Sequence, residues 1–154
     1  MIPRPVRGRP RPPPRADPGS RPIRCPAPSA TAARYDRGVP DCLFCGIAAG
    51  QIPATIVLDG KRTLAFRDIN PQAPTHVLVI PKGKYVSFAD FTANANSDEI
   101  AGFMRALGKL AKDLGLEAHG YRLLANMGEH SGQEVPHFHV HLFAGRPLGR
   151  MLAQ

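Results

Sequence analysis

Three histidines that alternate with apolar residues near the C-terminal end constrain the fold of this chain more than any other feature. Residues 137–143 read HFHVHLF. In a β-strand successive side chains point to opposite faces, so the three imidazoles would share one face while the apolar residues pack on a core. The imidazoles would span roughly 13 Å, at about 6.6 Å for every two residues. Imidazole can change protonation near neutral pH, attack as a nucleophile or bind a metal, so this strand is the first candidate for a site.

Composition divides the chain near residue 40. Residues 1–40 contain nine arginines, no lysine, two aspartates and eleven of the seventeen prolines, whereas residues 41–154 have a net charge of about +1. The first segment lacks the hydrophobic periodicity that could offset its ordering entropy. We therefore expect a disordered Pro/Arg-rich tail over 1–38 and a single domain over 39–154. The basic net charge belongs to the tail, so it gives no reason to expect that the folded domain binds nucleic acid.

The tail has three interpretations: an inert extension, a start-site artefact, or a segment for targeting or anion binding. Its proline density excludes the amphipathic helix of a transit peptide, and it lacks the apolar stretch of a secretory signal. No run approaches the roughly 18 apolar residues of a membrane helix. The three cysteines of the chain make no disulfide framework. We therefore expect a cytoplasmic protein that does not associate with membranes.

The pattern over 39–154 predicts an α+β domain. Asp59-Gly60 is typical of a hairpin turn, and a β-branched run that stops at Pro81 predicts a buried central strand. Asn96 followed by Glu99 indicates a helix cap. We expect an antiparallel sheet of about five strands with one long and one or two short helices. Besides the histidine strand, the expected elements are helices that begin at Asp41, over 86–91 and from Asn96 to Gly115, and strands over 56–58, 63–67, 76–80 and 121–125.

Two kinds of chemistry fit the histidine strand. A metal site could use two or three imidazoles, although oxygen-activating sites usually add a carboxylate and the run contains none. Alternatively, a neutral imidazole could attack phosphorus and form a covalent phospho-histidine, while its neighbours donate to the phosphoryl oxygens. Gly132, just before the strand, would let backbone N–H groups approach an anion closely. Asn126 and Asp68, each at the end of a predicted strand, could bind a leaving group or ribose hydroxyls.

Cys42 and Cys45 form a single CxxC pair. Two thiolates need two further ligands for a tetrahedral zinc, and His76 and His137 are available. A thioredoxin-like redox motif would follow a strand within a βαβ unit, and no strand is predicted before this pair. Zinc binding, redox chemistry and incidental cysteines all stay open at this point.

Four separated segments resemble the histidine triad family. The run 137–143 matches the motif His-x-His-x-His-x-x with apolar x, and residues 68–76 (DINPQAPTH), 132–135 (GQEV) and 145–149 (GRPLG) match in the same order. The resemblance covers about residues 41–150. It is to the nucleotide-binding branch of the histidine triad hydrolases, of the bacterial purine nucleoside phosphoramidase type.

This resemblance implies a compact α+β domain that forms a homodimer with a continuous sheet. It implies hydrolysis of purine nucleoside 5′-phosphoramidates, such as adenosine 5′-monophosphoramidate or lysyl-adenylate, to the nucleoside monophosphate and an amine. His139 would be the nucleophile and would form a covalent nucleotidyl-histidine. His141 would hold phosphate oxygens together with the backbone near Gln133 and Glu134. His137 would tune or relay protons, and the reaction would require no cofactor.

The resemblance also implies a nucleotide pocket and a structural metal site. Asp68 would bind the ribose hydroxyls with Ile69 beside it, and Asn126 would contact the sugar–phosphate region. Gly132 and Val135 would belong to the loop that meets the phosphate. The base pocket would be formed by Leu43, Phe44, Ile47 and Phe66. As in some bacterial members and the related galactose-1-phosphate uridylyltransferases, structural zinc would be held by Cys42, Cys45, His76 and His137.

Three positions depart from the family pattern. Many members have an aromatic residue where Pro136 stands and Gly where Ala144 stands, and some have Ser where Glu134 stands, which can assist the leaving group. A glutamate could donate a proton there only when it is protonated. If zinc holds His137, that imidazole cannot also relay protons freely. The alternative functions are a dinucleoside polyphosphate hydrolase, a non-catalytic nucleotide-sensing or partner-binding protein, and a pure zinc module.

Overall fold

The structure, a computed structural model, describes residues 42–151. The expected tail over 1–38 and the expected helix start at Asp41 lie outside these residues. The strands are β1 (Ile56–Asp59), β2 (Thr63–Arg67), β3 (Thr75–Pro81), β4 (Arg122–Leu124) and β5 (Val140–Ala144). The helices are α1 (Leu43–Ala48), α2 (Phe88–Asn94) and α3 (Ser97–Asp113), and two short 3-10 turns cover Leu116–Ala118 and Glu129–Ser131.

The five strands form one antiparallel sheet in the order β1-β2-β3-β5-β4. This confirms the predicted α+β architecture, with one long helix, two short helices and five strands. The hairpin, the central strand and the long helix all occur where the sequence predicts them, with boundaries that shift by a few residues. Within residues 42–151, no helix is both long and apolar enough to cross a membrane.

One face of the sheet packs under α2 and α3. Val77 and Val79 of β3 and Leu142 of β5 are almost fully buried there, against Phe91 of α2 and Phe103 of α3. Full burial of an apolar side chain of this size stabilises the fold by about 1.5–3 kcal/mol. This core supports the sheet from one side and leaves the opposite face for a site.

The opposite face carries α1. Phe66 of β2 lies beside Leu78 of β3, and Leu78 lies beside His141 of β5, so the three side chains share this face. Phe44 of α1 packs edge-on against Phe66, with ring centroids 5.5 Å apart. The helix therefore covers the sheet next to the second and third triad histidines.

Polar caps fix where the helices begin. The Asn96 side chain accepts a hydrogen bond from the backbone N–H of Glu99 (2.9 Å), as the sequence predicts. Cys42 is the N-cap of α1, and its Sγ accepts from the backbone N–H of Cys45 (3.3 Å). This cap holds both thiols at the first turn of α1.

The histidine strand is shorter than the sequence predicts. β5 begins at Val140, so His137 and His139 precede it in extended but irregular chain. The backbone N–H of His137 donates to the carbonyl of Val135 (2.8 Å), and that of Phe138 donates to the carbonyl of Tyr85. These two hydrogen bonds, one local and one to a distant segment, replace sheet pairing over the first half of the run, where strict alternation predicts a strand.

Candidate active site

A cavity of about 780 Å³ opens on the α1 face of the sheet. Its walls come from α1, the segment that follows α1, the loop between β2 and β3, and the loop that precedes β5. Phe66, Leu78 and His141 contribute from three neighbouring strands. A cavity of this volume is large enough for a nucleotide-sized ligand.

The cavity brings together most of the residues that the sequence singled out. The exceptions are Gln133, which does not line it, and the cluster of Cys42, Cys45 and His137, which lies apart from it. The lining includes Leu43, Phe44, Ile47, Phe66, Asp68, Ile69, Asn126, Gly132, Glu134, Val135, His139 and His141. Their individual roles stay predictions.

His139 is held by the backbone of the residue two positions before it. Its Nδ1 lies 2.7 Å from the carbonyl oxygen of His137. A carbonyl oxygen can only accept, so Nδ1 carries the hydrogen, and Nε2 of the neutral ring keeps a free lone pair. The residue is 5% exposed, and its ring packs edge-on against Phe44 with centroids 5.2 Å apart. In this tautomer Nε2 is the nitrogen that the backbone does not engage.

A chain of hydrogen bonds selects the other tautomer at His141. The backbone N–H of Gln72 donates to Nδ1 of His76 (3.2 Å), so neutral His76 carries its hydrogen on Nε2. That Nε2 lies 2.9 Å from Nδ1 of His141 and donates to it. His141 then carries its own hydrogen on Nε2. Asp68 Oδ2, 3.4 Å from His76 Nε2, is a second acceptor for the same N–H group.

Burial keeps these two imidazoles uncharged at neutral pH. It lowers the pKa of His141 to about 4, with further lowering from the neighbouring His139 and His76. It also lowers the pKa of His76, against the opposing effect of the Asp68 carboxylate. His141 therefore offers a neutral N–H donor to the cavity across the physiological pH range.

Asp68, His76 and His141 also form a group of three donor atoms within 4.8 Å of one another. The ring centroids of His76 and His141 lie 5.2 Å apart, near the largest separation that an N···N distance of 2.9 Å permits. The two nitrogens therefore point at each other and not at a common third position. This orientation favours a hydrogen bond over shared coordination of a metal.

His137 belongs to a second cluster behind the cavity. It is 0% exposed, and its Nε2 donates to the carbonyl of Pro81 (2.9 Å). Its Nδ1 lies 3.4 Å from Sγ of Cys42 and 3.5 Å from Sγ of Cys45. The side chain does not line the cavity, and the proton relay expected of it stays a prediction. Its connection to the site is the backbone carbonyl that orients His139.

The four-residue zinc set expected from the family resemblance is not assembled. Cys42, Cys45 and His137 stand together within 4.8 Å, but His76 lies in the other group. The reason is the length of β3: His137 contacts the Pro81 end, and His76 lies five residues away, roughly 16 Å along an extended strand. Two thiols and one imidazole are suitable zinc donors and supply three of the four ligands of a structural site.

The thiol of Cys45 lacks the lowered pKa that is usual for a redox-active cysteine. Burial and the neighbouring Cys42 raise the pKa of Cys45 to about 11, although Lys84 opposes the shift. A protonated thiol is a poor nucleophile, and redox-active cysteines usually have a lowered pKa. A bound metal ion would displace the proton directly. The environment of Cys45 is therefore unlike that of a reactive thiol in a thioredoxin-like motif.

Gln133 braces the loop before the triad and does not face the cavity. Its Nε2 donates to the carbonyl of Val86 (2.7 Å), and its Oε1 accepts from the backbone N–H of Gly128 (3.0 Å). Gly132 has a φ of 73°, in the left-handed region that glycine adopts without strain. These features fix the path of the loop that leads into the triad.

The role of His76 is the main functional feature that sequence reasoning missed. His76 pairs with Phe143 in the β3–β5 ladder, and their rings stack with centroids 4.2 Å apart. The register places His141 diagonally next to it on the same face. Antiparallel pairing of these two strands would have pointed to this contact, but the sequence pattern did not specify which strands are neighbours.

Comparisons with known proteins identify the family of this chain. The HIT domain family matches residues 49–148, about two thirds of the chain. The chain belongs to the HIT family. The purine nucleoside phosphoramidase of Escherichia coli K12 is 42% identical over 113 residues, which cover 73% of this chain and 94% of that protein.

The chain is also similar to a zinc-binding protein and to a HIT family hydrolase of known structure. A 14 kDa zinc-binding protein of Zea mays is 45% identical over 107 residues, which cover 69% of this chain and 83% of the relative. The crystal structure of a HIT family hydrolase from Legionella pneumophila superposes with a TM-score of 0.64 at 47% identity, over 71% of this chain and 96% of that one. Together these likenesses support the HIT fold and hydrolase activity in general.

The protonation of His141 can be measured directly. We expect its ring to titrate near pH 4 and to carry hydrogen on Nε2 at pH 7, as read from the ¹⁵N chemical shifts of labelled protein. Because the folded-state pKa lies below the ordinary value of 6.5, this group makes the fold more stable as pH rises from about 4 to 6.5. A titration midpoint near 6.5, or hydrogen on Nδ1 at pH 7, would contradict the hydrogen-bond chain.

Proposed function

We propose that this protein hydrolyses the P–N bond of purine nucleoside 5′-phosphoramidates through a covalent nucleotidyl-His139 intermediate. The observation that carries the proposal is the hydrogen bond from His139 Nδ1 to the carbonyl of His137, which leaves Nε2 unprotonated beside the cavity. The likeness to the E. coli purine nucleoside phosphoramidase supports the choice of substrate class.

In the first step, Nε2 of His139 attacks the α-phosphorus, and the bond between phosphorus and the amine nitrogen breaks. The leaving amine takes a proton from water at the open rim of the cavity. The positive charge that develops on the ring is shared through Nδ1–H with the carbonyl of His137. Nε2–H of His141 donates to a phosphoryl oxygen and stabilises the negative charge that develops there.

In the second step, a water molecule attacks the same phosphorus and releases the nucleoside monophosphate, with return of the lone pair to Nε2 of His139. The proton of the water passes to bulk solvent. His76 is a positioning residue in both steps, because its N–H group keeps Nδ1 of His141 as an acceptor. Besides the groups of this chain, these steps use only water.

The nucleotide would bind across the face of the sheet. Asp68 would accept hydrogen bonds from the ribose hydroxyls, and its Oδ1 is already oriented by the backbone N–H of Asn70 (2.7 Å). Phe44 and Phe66 would pack against the base from α1 and β2. Asn126 would contact the sugar–phosphate region.

We also propose that Cys42, Cys45 and His137 hold a structural zinc, with its fourth position filled by a ligand outside this set. The donor chemistry and the maize zinc-binding relative support this proposal. The metal would fix His137, and through its carbonyl the orientation of His139.

A homodimer is a further part of the proposal. β4 is a three-residue edge strand, and Tyr121 and Leu123 beside and within it are about 40% exposed. An apolar edge of this kind is a candidate for pairing with a second copy.

Sedimentation tests the dimer. We expect the wild type to have the mass of two chains, and we expect Leu123→Lys to lower the measured mass toward that of one chain. A wild-type monomer at micromolar concentration would contradict the dimer.

Removal of the nucleophile tests the reaction. We expect His139→Asn to lower kcat for adenosine 5′-monophosphoramidate by at least about a thousandfold, because no other group can form the intermediate. The measurement is release of AMP by the pure protein, with dinucleoside polyphosphates assayed in parallel. Turnover of the variant within tenfold of the wild type would overturn the assignment, and faster wild-type cleavage of the dinucleotides would favour that alternative substrate class.

Metal content tests the zinc proposal. Untagged protein purified under reducing conditions should contain about one zinc per chain, and Cys45→Ser should lose it with a lower melting temperature. Cys25→Ser, which changes the cysteine of the N-terminal segment, is the matched control and should keep the metal. Absence of zinc from the reduced wild type would refute the proposal.

A further inference from the structure

The turn after β5 packs against the loop between β2 and β3. Ala144, the last residue of β5, pairs with Thr75 at the start of β3, so the chain leaves the sheet beside that loop. Gly145 then turns with a φ of 93°, in the left-handed region that favours glycine. It passes so close to Pro74 that a Cβ at position 145 would lie 2.9 Å from the Cβ of Pro74. The turn is therefore in direct contact with the loop.

Arg146 adds a polar contact at the same place. Its Nη2 donates to the backbone carbonyl of Gln72 (3.0 Å). Both residues are exposed, and Gln72 lines the cavity whereas Arg146 does not. A guanidinium is always charged and can only donate, so a carbonyl oxygen is a suitable partner. The contact thus holds the main chain of Gln72 from outside the cavity.

Gln72 connects this contact to the histidines of the cavity. Its backbone N–H donates to Nδ1 of His76 (3.2 Å), and Nε2 of His76 lies 2.9 Å from Nδ1 of His141. The first bond selects the tautomer of His76, which in turn selects that of His141. A neutral imidazole without such a partner can carry its hydrogen on either nitrogen. The tautomer of His141 therefore depends on the position of one backbone N–H group in the loop.

Other hydrogen bonds of the loop join its own residues. Nε2 of Gln72 donates to the carbonyl of Asn70 (3.2 Å), and the N–H of Asn70 donates to Oδ1 of Asp68 (2.7 Å). These bonds shape the loop without attaching Gln72 to another element of the fold. Arg146 supplies that attachment, because it belongs to the segment that follows β5.

We propose that Arg146 is a positioning residue that sets the tautomer of His141 from outside the cavity, through the main chain of Gln72 and the ring of His76. Its effect on rate rests on the proposed function, in which Nε2–H of His141 donates to a phosphoryl oxygen. When Gln72 is less well held, fewer molecules present this donor where negative charge develops. Because the contacts proposed for the base and ribose involve other side chains, kcat changes more than nucleotide affinity.

The tautomer can be read from the ¹⁵N chemical shifts of histidine in the labelled full-length protein at pH 7. In Arg146→Met, which keeps the length of the side chain but has no donor, we expect the two ring shifts of His141 to move toward each other. The shifts of His139 should stay unchanged, because the carbonyl of His137 holds that ring. Unchanged His141 shifts in Arg146→Met would overturn the proposal.

Arg146→Lys is the second variant, because lysine keeps a charged donor with a different geometry. We expect it to restore part of the wild-type shifts of His141. Arg146 is exposed, so both variants should stay folded, which circular dichroism checks. A lysine variant whose His141 shifts depart from the wild type as far as those of Arg146→Met would contradict a role for the donated hydrogen bond.

Kinetics provide a readout that a general loss of stability does not reproduce. We expect Arg146→Met to lower kcat for adenosine 5′-monophosphoramidate about tenfold, the effect of losing one hydrogen bond to a charged group, and to change AMP affinity less than about threefold. Arg150→Met is the matched control, because Arg150 is an exposed arginine of the same segment that does not line the cavity. An equal loss of kcat in Arg150→Met would overturn the proposal.

The two readouts separate this inference from the proposed function. A change of the His141 shifts in Arg146→Met supports the role of Arg146 even if the wild type hydrolyses no phosphoramidate. Rapid hydrolysis by the wild type, together with unchanged His141 shifts in Arg146→Met, would support the reaction and refute the role of Arg146.

Discussion

The hydrogen bond from His139 Nδ1 to the carbonyl of His137 is the interaction on which the site depends. It requires that residues 137–139 leave the regular ladder, so that this carbonyl is directed at a side chain and not at a neighbouring strand. The ring of His137 is in turn held at both nitrogens, by Pro81 on one side and by the cysteines on the other. The cluster of Cys42, Cys45 and His137, which does not line the cavity, thereby helps to orient the ring of His139.

The two histidines of the cavity use opposite tautomers, and the difference comes from their backbone surroundings. His139 donates from Nδ1 and keeps a lone pair on Nε2, whereas His141 accepts at Nδ1 and keeps a hydrogen on Nε2. The backbone N–H of Gln72 starts the chain that fixes the second state. The two rings thus present different nitrogens for chemistry, a lone pair in the Nδ1–H tautomer of His139 and an N–H donor in His141.

Much of this arrangement could be predicted from the sequence. Alternation placed the three histidines on one side, the Asn96 cap and the apolar stripe located α3, and the family resemblance selected most of the residues that line the cavity. Those predictions depend on local periodicity and on motifs of contiguous residues. They identify the members of the site but not its hydrogen bonds.

The features that could not be predicted depend on which elements are neighbours in space. The contact between His76 and His141 follows from the pairing of β3 with β5, and the separation of His76 from the cysteines follows from the length of β3. The irregular path of 137–139 arises from bonds to Val135 and Tyr85, which a two-residue period cannot reveal. His76, expected from the family resemblance to bind zinc, is instead a hydrogen-bond partner of His141.

The stereochemical course at phosphorus tests the central claim most directly. Hydrolysis through nucleotidyl-His139 involves two in-line displacements, whereas direct attack by water involves one. With a phosphorothioate analogue of defined configuration and ¹⁸O-labelled water, the product is predicted to show retention of configuration at phosphorus. Inversion would contradict a covalent intermediate and, with it, the role assigned to the free Nε2 of His139.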